Sequence, residues 1–334
     1  MKTAELREVW ARQLPDHVAD LRFASNGRVL AAATLAGTVA VLDASTGEPL
    51  AEPKGHRGGT LSVAWSPDGR LLATGGQDGQ VRVCRPGGGP VFETAPGREW
   101  IEHIAFSRDG QELAVGAGRI ARVYDRSGHL VAEQGGHEGT ISALCWTGPK
   151  LATACYGGVR LIEPGKPESL RVLECSRPIL ALAASPDGKW VVSGNQDGSL
   201  HVWRMDSGEE FEMSGYPAKV KSLAFSEDGS SLVAAGGAEV TLWDFGGAGP
   251  AGRAPKLLEG HAGLVTGLAW AGHQTIISVA EDGTLRAWPV RHRREAAVWA
   301  GRQPLDRLAV APGGAAAAVA DRSGNVSLVS LDDR

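Results

Sequence analysis

Residues 61–84 read LSVAWSPDGRLLATGGQDGQVRVC, and the fold is argued outward from them. Leu61 to Trp65 alternates its side chains in the manner of a half-buried strand and stops at Ser66-Pro67-Asp68-Gly69. Glycine takes the positive φ that tight hairpin turns need, so Asp68-Gly69 predicts a reversal. Arg70 to Gly75 is the returning strand, Asp78-Gly79 turns the chain again, and Val81-Arg82-Val83 is a third strand. A Gly-rich loop follows, and Val91-Phe92-Glu93 reads as a fourth. The stretch therefore predicts one antiparallel sheet of four short strands.

The same pattern recurs. An apolar strand ends in a marker residue and a short turn at Phe106-Ser107-Arg108-Asp109-Gly110, at Ala184-Ser185-Pro186-Asp187-Gly188 and at Phe225-Ser226-Glu227-Asp228-Gly229. Weaker copies are Phe23-Ala24-Ser25-Asn26-Gly27 and Val310-Ala311-Pro312-Gly313-Gly314. Trp146 and Trp270 end the same kind of strand, with turns Thr147-Gly148-Pro149 and Ala271-Gly272-His273. The markers at 23, 65, 106, 146, 184, 225, 270 and 310 are spaced by 42, 41, 40, 38, 41, 45 and 40 residues. A fixed period of this length is the signature of a repeat architecture. Repeat 5 copies the strands as Lys189 to Ser193, Leu200 to Trp203 and Glu210 to Glu212, and repeat 7 as Thr275 to Val279 and Leu285 to Trp288. Helical patterns are few. The prediction is an all-β, eight-bladed β-propeller of four-stranded antiparallel blades, with seven blades as the alternative. A single propeller domain then fills residues 1–334, with repeats near 13–50, 51–93, 94–132, 133–172, 173–212, 213–257, 258–299 and 300–334.

Composition agrees. There are 46 Gly and 10 Trp, as many tight turns and regularly placed indoles require, against 3 Tyr and 6 Phe. Hydrophobic residues make up 43% and charged residues 22%, the balance of a chain that folds. With 34 Lys+Arg against 38 Asp+Glu the net charge is −4, which argues against a phosphate-backbone binder. The first residues have no apolar core, so no secretory signal is expected there. No run approaches the length of a membrane-spanning helix, so no membrane partner is expected. Cys84, Cys145, Cys155 and Cys175 form no C-x-x-C pair and sit in or beside apolar runs, which predicts reduced thiols in a cytoplasmic protein.

These residues resemble the WD-repeat (WD40-type) β-propeller family over nearly the whole chain. The family's Gly-His lead-in is matched at Gly55-His56, Gly136-His137 and Gly260-His261. Its Trp-Asp ending is strict at Trp243-Asp244 and loosened at Tyr124-Asp125, Trp203-Arg204 and Trp288-Pro289. The resemblance implies a hydrogen-bonded tetrad of His, Ser/Thr, Asp and Trp, complete in repeat 7 as His261, Ser278, Asp282 and Trp288. Repeat 2 offers His56, Thr74 and Asp78, with Cys84 for the Trp. Repeat 5 offers Ser193, Asp197 and Trp203, with Cys175 at the His position. In repeat 4, Tyr156 stands at the turn Asp and Ile162 at the Trp; repeats 1 and 8 carry Leu42 and Val329 there.

The last repeat has three strands, Leu305 to Val310, Ala315 to Ala320 and Val326 to Leu331, and then the chain stops. Val9-Trp10-Ala11-Arg12-Gln13 resembles Val298-Trp299-Ala300-Gly301-Arg302-Gln303, an outer strand with its following loop. Residues 6–12 are therefore expected to complete the last blade and close the ring, covering an open edge. The rival is an amphipathic helix, because Leu6, Val9, Trp10 and Leu14 also fit helical spacing.

Chemical signals have plain structural readings. Gly87-Gly88-Gly89 and Gly246-Gly247-Ala248-Gly249 lack the Lys-Ser/Thr and helix of a phosphate loop and read as interstrand loops. His261 with Ser278 and Asp282 has the composition of a hydrolase triad, but no Gly-x-Ser-x-Gly elbow presents the serine. His103, His201 and His273 are isolated, and Arg291-His292-Arg293-Arg294 reads as a solvated loop. No catalytic residue, metal, cofactor, nucleic acid or small-molecule substrate is expected.

Two functions remain. A non-catalytic scaffold binding a protein or peptide is what the resemblance implies. A propeller enzyme or metal protein working in the central channel is the alternative, and needs acidic or histidine side chains on the inner strands. Leu-Ser-Val-Ala-Trp, Ile-Ser-Ala-Leu-Cys-Trp and Val-Thr-Gly-Leu-Ala-Trp supply none. In the family, the loop before the inner strand and the second turn of each blade face one side, the top. Alignment on the markers places Trp100 and Glu102, Lys219 and Lys221, and the pre-turn residues Gln77, Gln196 and Glu281 there. Trp100 is the expected apolar anchor and the polar residues its rim; packing of Trp100 between blades is the competing reading.

Overall fold

The structure, a computed structural model, describes residues 6–290 and 297–331. Those residues form eight four-stranded sheets and no helix, so none crosses a membrane as a helix. The chain is an eight-bladed β-propeller, and the eighth sheet sets aside the seven-bladed alternative. The basic run 291–294 lies outside the described residues.

The marker turns explain the repeated Ser-x-Asp-Gly. Gly69 takes φ 67°, inside the left-handed region, and its N–H donates to the Ser66 carbonyl at 2.8 Å. Ser66 Oγ donates to Asp68 Oδ1 at 2.6 Å and accepts the Leu71 N–H at 2.9 Å. The Ser66 hydroxyl is the main reason that the Asp68 carboxyl is held down at about 2. The same Ser–Asp bond recurs at Ser107–Asp109, Ser185–Asp187 and Ser226–Asp228, at 2.6–2.7 Å. Each turn thus satisfies its own backbone, which a hairpin tip needs.

Two compact units contain the blades. In Gln13–Ile179, blade 1 runs Val18–Phe23, Val29–Thr34, Val39–Asp43 and Pro49–Ala51, and blade 2 runs Thr60–Trp65, Leu72–Gly76, Val81–Cys84 and Pro90–Thr94. Blade 3 runs Ile101–Phe106, Glu112–Ala117, Ile120–Asp125 and Leu130–Gln134; blade 4 runs Ala143–Thr147, Lys150–Cys155, Gly157–Glu163 and Lys166–Cys175. That last strand extends three residues past the expected repeat boundary at 172. First strands of successive blades pack together, and the second strands are buried on both faces. Apolar clusters fill the space between neighbours: Ala33, Val41, Val63 and Leu72 between blades 1 and 2, and Val83, Ile101 and Val115 between blades 2 and 3. The marker indoles add a polar tie. Trp65 Nε1–H donates to the Arg22 carbonyl of blade 1, and Trp146 Nε1–H to the Ala105 carbonyl of blade 3, both at 3.0 Å.

The unit of Met1–Arg12 with Leu180–Arg334 is built likewise. Blade 5 runs Ile179–Ala184, Trp190–Asn195, Ser199–Arg204 and Glu210–Ser214. Blade 6 runs Ser222–Phe225, Ser231–Ala235, Val240–Asp244 and Lys256–Leu258; blade 7 runs Val265–Ala271, Thr275–Ala280, Thr284–Pro289 and Ala297–Ala300. Trp270 Nε1–H donates to the Ala224 carbonyl of blade 6 at 3.1 Å.

Blade 8 runs Leu305–Val310, Ala316–Asp321 and Asn325–Ser330, and its fourth strand is Arg7–Gln13 from the N-terminus. The strand reading is correct and the helix reading is not. Leu6 is buried among Leu285, Leu305 and Val329, and its N–H donates to the Val298 carbonyl at 3.0 Å. Trp10 is half-buried and Val9 is exposed, so the anchor of this strand is Leu6.

Candidate functional site

The tetrad of blade 7 is complete and internal. His261 Nδ1–H donates to Asp282 at 3.1 Å, and its Nε2 accepts from Ser278 Oγ at 2.7 Å. Trp288 Nε1–H donates to the same Oγ at 2.8 Å. Burial pushes the His261 imidazole below its ordinary value against the pull of Asp282. Burial would raise Asp282, but N–H groups of Ala262 and Thr284, the Thr284 hydroxyl and His261 outweigh it and hold the carboxyl at about 2. Ser278 is fully buried and its oxygen already has two partners, so no substrate reaches it. The arrangement ties a turn to a strand.

Other blades vary it. In blade 2 His56 bridges Asp78 at 2.7 Å and Thr74 at 2.8 Å, and Arg82 braces Asp78 at 3.1 Å where the Trp is missing. In blade 4 His137 bonds Thr153 at 2.8 Å and the Arg119 carbonyl at 2.9 Å, and Tyr156 is left exposed. Blade 5 departs from the expected set: Ser193 donates to Asn195, Asn195 to Ser199 and Ser199 to Asp197, while Trp203 stacks on His201 at 4.4 Å. Sequence reading missed the network of blade 6. There Tyr216 replaces the His, its hydroxyl lying 2.7 Å from Thr241 Oγ1 and accepting Trp243 Nε1–H at 2.9 Å. The Gly215-Tyr216 dipeptide, in the place of Gly-His, was the available signal.

The top ends of the blades carry the predicted surface residues. In the Gln13–Ile179 unit, Trp100 precedes the inner strand of blade 3 and is 54% exposed, so it does not pack between blades. Glu102 is exposed, and Gln77 is half-buried close to Gly58 and Gly59. In the other unit Gln196 stands exposed on blade 5. Lys219, Lys221 and Glu281 come together there in a cleft of ≈ 270 Å³ at the top of blades 6, 7 and 8. Asp306, Arg307 and Arg322 of blade 8 and Leu264 of blade 7 also line it, and sequence reading missed these four. Arg322 reaches Glu281 at 2.8 Å and Asp306 at 3.9 Å.

Ionisable groups on the inner strands are Asp20, Arg22, Glu102, His103, Asp306 and Arg307. Asp20 is held by Arg22 at 3.3 Å and accepts the Val63 N–H at 3.1 Å. Burial lowers His103 below its ordinary value. Among the described residues no three His, Cys, Asp or Glu side chains converge as a metal requires. A larger cleft, ≈ 540 Å³, opens at the opposite ends of blades 3 and 4 between Trp146, Pro149, Pro164 and Glu112. Its Asp109 is already engaged by Ser107 and its Glu163 by Lys166.

Comparison with known proteins agrees with this geometry. The family described as "WD domain, G-beta repeat" matches residues 47–84, 167–204, 209–244 and 252–289, the segments ending in the third strands of blades 2, 5, 6 and 7. Telomerase protein component 1 of Rattus norvegicus is 27% identical over 81% of this chain and 11% of its own length. A ribosome biogenesis protein WDR12 homolog of Chlamydomonas reinhardtii is 27% identical over 73% of this chain and 56% of its own. Cell division cycle 20.1, cofactor of APC complex, of Arabidopsis thaliana is 26% identical over 68% of this chain and 54% of its own. The chain thus spans about half the length of these relatives or less. The crystal structure of the computationally designed Ika8 protein superposes with a TM-score of 0.84 at 23% identity, over 97% of this chain and 100% of that one. That likeness concerns the fold alone.

Proposed function

Because the chain is a WD-repeat β-propeller, we propose that it is a non-catalytic scaffold that docks a protein or peptide on the top ends of its blades. The observation that carries this reading is Trp100, an indole 54% exposed at the mouth of an inner strand. Leaving such a side chain in water forgoes stabilisation that burial against a partner would recover. Glu102 and Gln77 supply polar groups on blades 3 and 2, as a rim does. His261, Ser278 and Asp282, which share the composition of a hydrolase triad, are consumed by structure. Four free cysteines, three of them buried, suit the reducing cytoplasm.

Photo-crosslinking in the native cell tests the proposal. A photoreactive residue at position 100 should capture a discrete protein, and one at the exposed Leu130 of an outer strand should not. Equal capture from both positions, or none from position 100, would remove the docking site from this surface.

A further inference from the structure

We propose that the cleft across the top ends of blades 6, 7 and 8 receives an acidic segment of the partner, its carboxylates on Lys219 and Lys221 and an apolar side chain against Leu264. This rests on the docking reading above and adds the chemistry of what is docked. Four cations line the cleft, Lys219, Lys221, Arg307 and Arg322, against two carboxylates, Glu281 and Asp306. The carboxylates are engaged within blades 7 and 8. Glu281 accepts from Arg322 at 2.8 Å, and Asp306 lies 3.7 Å from Arg307 and 3.9 Å from Arg322. The two lysines of blade 6 are exposed and make no ion pair among the described residues. The cleft therefore holds a surplus of two positive charges on a chain whose net charge is −4. A local field opposite to that of the whole molecule selects and orients an oppositely charged partner.

Shape and composition narrow the occupant. At ≈ 270 Å³ the cleft is smaller than the roughly 300–1,000 Å³ of sites for drug-sized ligands, so it suits side chains of a peptide better than a cofactor. Leu264 is 49% exposed on its lip, an apolar contact that a bare anion would not use. Flexible ammonium groups act as point charges, matched to mobile carboxylates rather than to one rigid group. Two lysines side by side on the lead-in to one strand would repel in the free protein, and an acidic segment relieves that repulsion.

The test uses the full chain and a short fluorescein-labelled peptide of Asp and Glu with one central Leu. Its fluorescence anisotropy should rise with protein, and the affinity should fall as salt is added. Binding should weaken roughly tenfold or more in Lys219→Glu/Lys221→Glu, and several-fold in Leu264→Ser. Both lysines are exposed, so an unchanged melting temperature shows that the charge-reversed protein is folded. Zero-length carbodiimide coupling should attach the peptide to Lys219 or Lys221. Equal binding of the Asn/Gln analogue, wild-type affinity in the charge-reversed variant, coupling mainly to Lys54 or Lys150, or tighter binding of an oligonucleotide of equal charge would each overturn the proposal. A partner captured from position 100 with this cleft unlabelled would leave the docking reading standing and reject the acidic segment alone. No capture from position 100 with the peptide bound at the lysines would do the reverse.

Discussion

Asp282 accepts from the Ala262 and Thr284 N–H groups at 2.8 and 2.9 Å, from Thr284 Oγ1 at 2.7 Å and from His261 at 3.1 Å. Asp282→Ala would strand those donors in a largely dry site, at a cost of about 1–3 kcal/mol. Urea denaturation should show the loss, and an unchanged midpoint would deny the residue its structural role. Acid should act through the same groups. His56 and His261 are less basic in the fold than in the unfolded chain because they are buried. Below about pH 6.5 the unfolded chain takes up protons that the native state refuses, so stability falls as pH falls. Asp78 and Asp282, held at about 2, contribute fully above the ordinary carboxylate range and lose that contribution as pH drops toward their folded values. The slope of stability against pH between about 7.5 and 5 should flatten in His56→Gln/His261→Gln. It should not vanish, because His103 and His137 are also lowered by burial. An unaltered slope would mean that these imidazoles titrate alike in both states.

Strands Arg7–Gln13 and Leu72–Gly76 show how much an element owes to its neighbours. Arg7–Gln13 has two half-buried residues, Trp10 and Arg12, and the buried anchor Leu6 lies just before it. Leu6→Ala should cost about 2–4 kcal/mol by emptying the space among Leu285, Leu305 and Val329. Deleting residues 1–12 should cost more, on the order of 3 kcal/mol or above, and should expose strand edges that aggregate. Light scattering and thermal melting of the truncated chain check both, and a soluble truncation of full stability would show that the strand is dispensable. In blade 2, Gly76 leaves room for the His56 ring. A Cβ there would sit 2.3 Å from His56 Cβ and Cγ and 2.7 Å from the Gly59 carbonyl oxygen. Gly76→Ala should therefore displace the imidazole from Thr74 and Asp78 and cost about 1–3 kcal/mol or more. A melting temperature equal to that of the parent would show that blade 2 can move to accommodate a methyl group.

For the molecule as a whole, the residues proposed for recognition are not those that hold the fold together. Trp100→Ala should leave the fold nearly unchanged, because the indole is 54% exposed, and should weaken partner binding by about 2 kcal/mol or more. Calorimetry with the captured partner measures it, and unaltered affinity would move the docking site elsewhere. The amino-acid sequence alone determined the period, the four strands in each repeat and the number of blades. Those depend on local causes: alternation selects strands, and Asp-Gly with its preceding Ser closes a turn through bonds a few residues long. It also determined the partner of the last blade, because Val9-Trp10-Ala11 repeats Val298-Trp299-Ala300. The tetrad of blade 7 was legible through the resemblance to the WD-repeat family, which places His261, Ser278, Asp282 and Trp288 at its four positions. Only the tertiary structure decided how deviant blades satisfy the same need. Tyr216 reaches Thr241 and Trp243, and Arg82 lies against His56, through approaches that no single strand specifies. The cleft at the top of blades 6, 7 and 8 is likewise tertiary. Lys219, Lys221, Glu281, Arg307 and Arg322 come from three repeats, and their surplus charge exists only where three blade ends meet, because local pattern sets the strands but packing sets which surfaces adjoin.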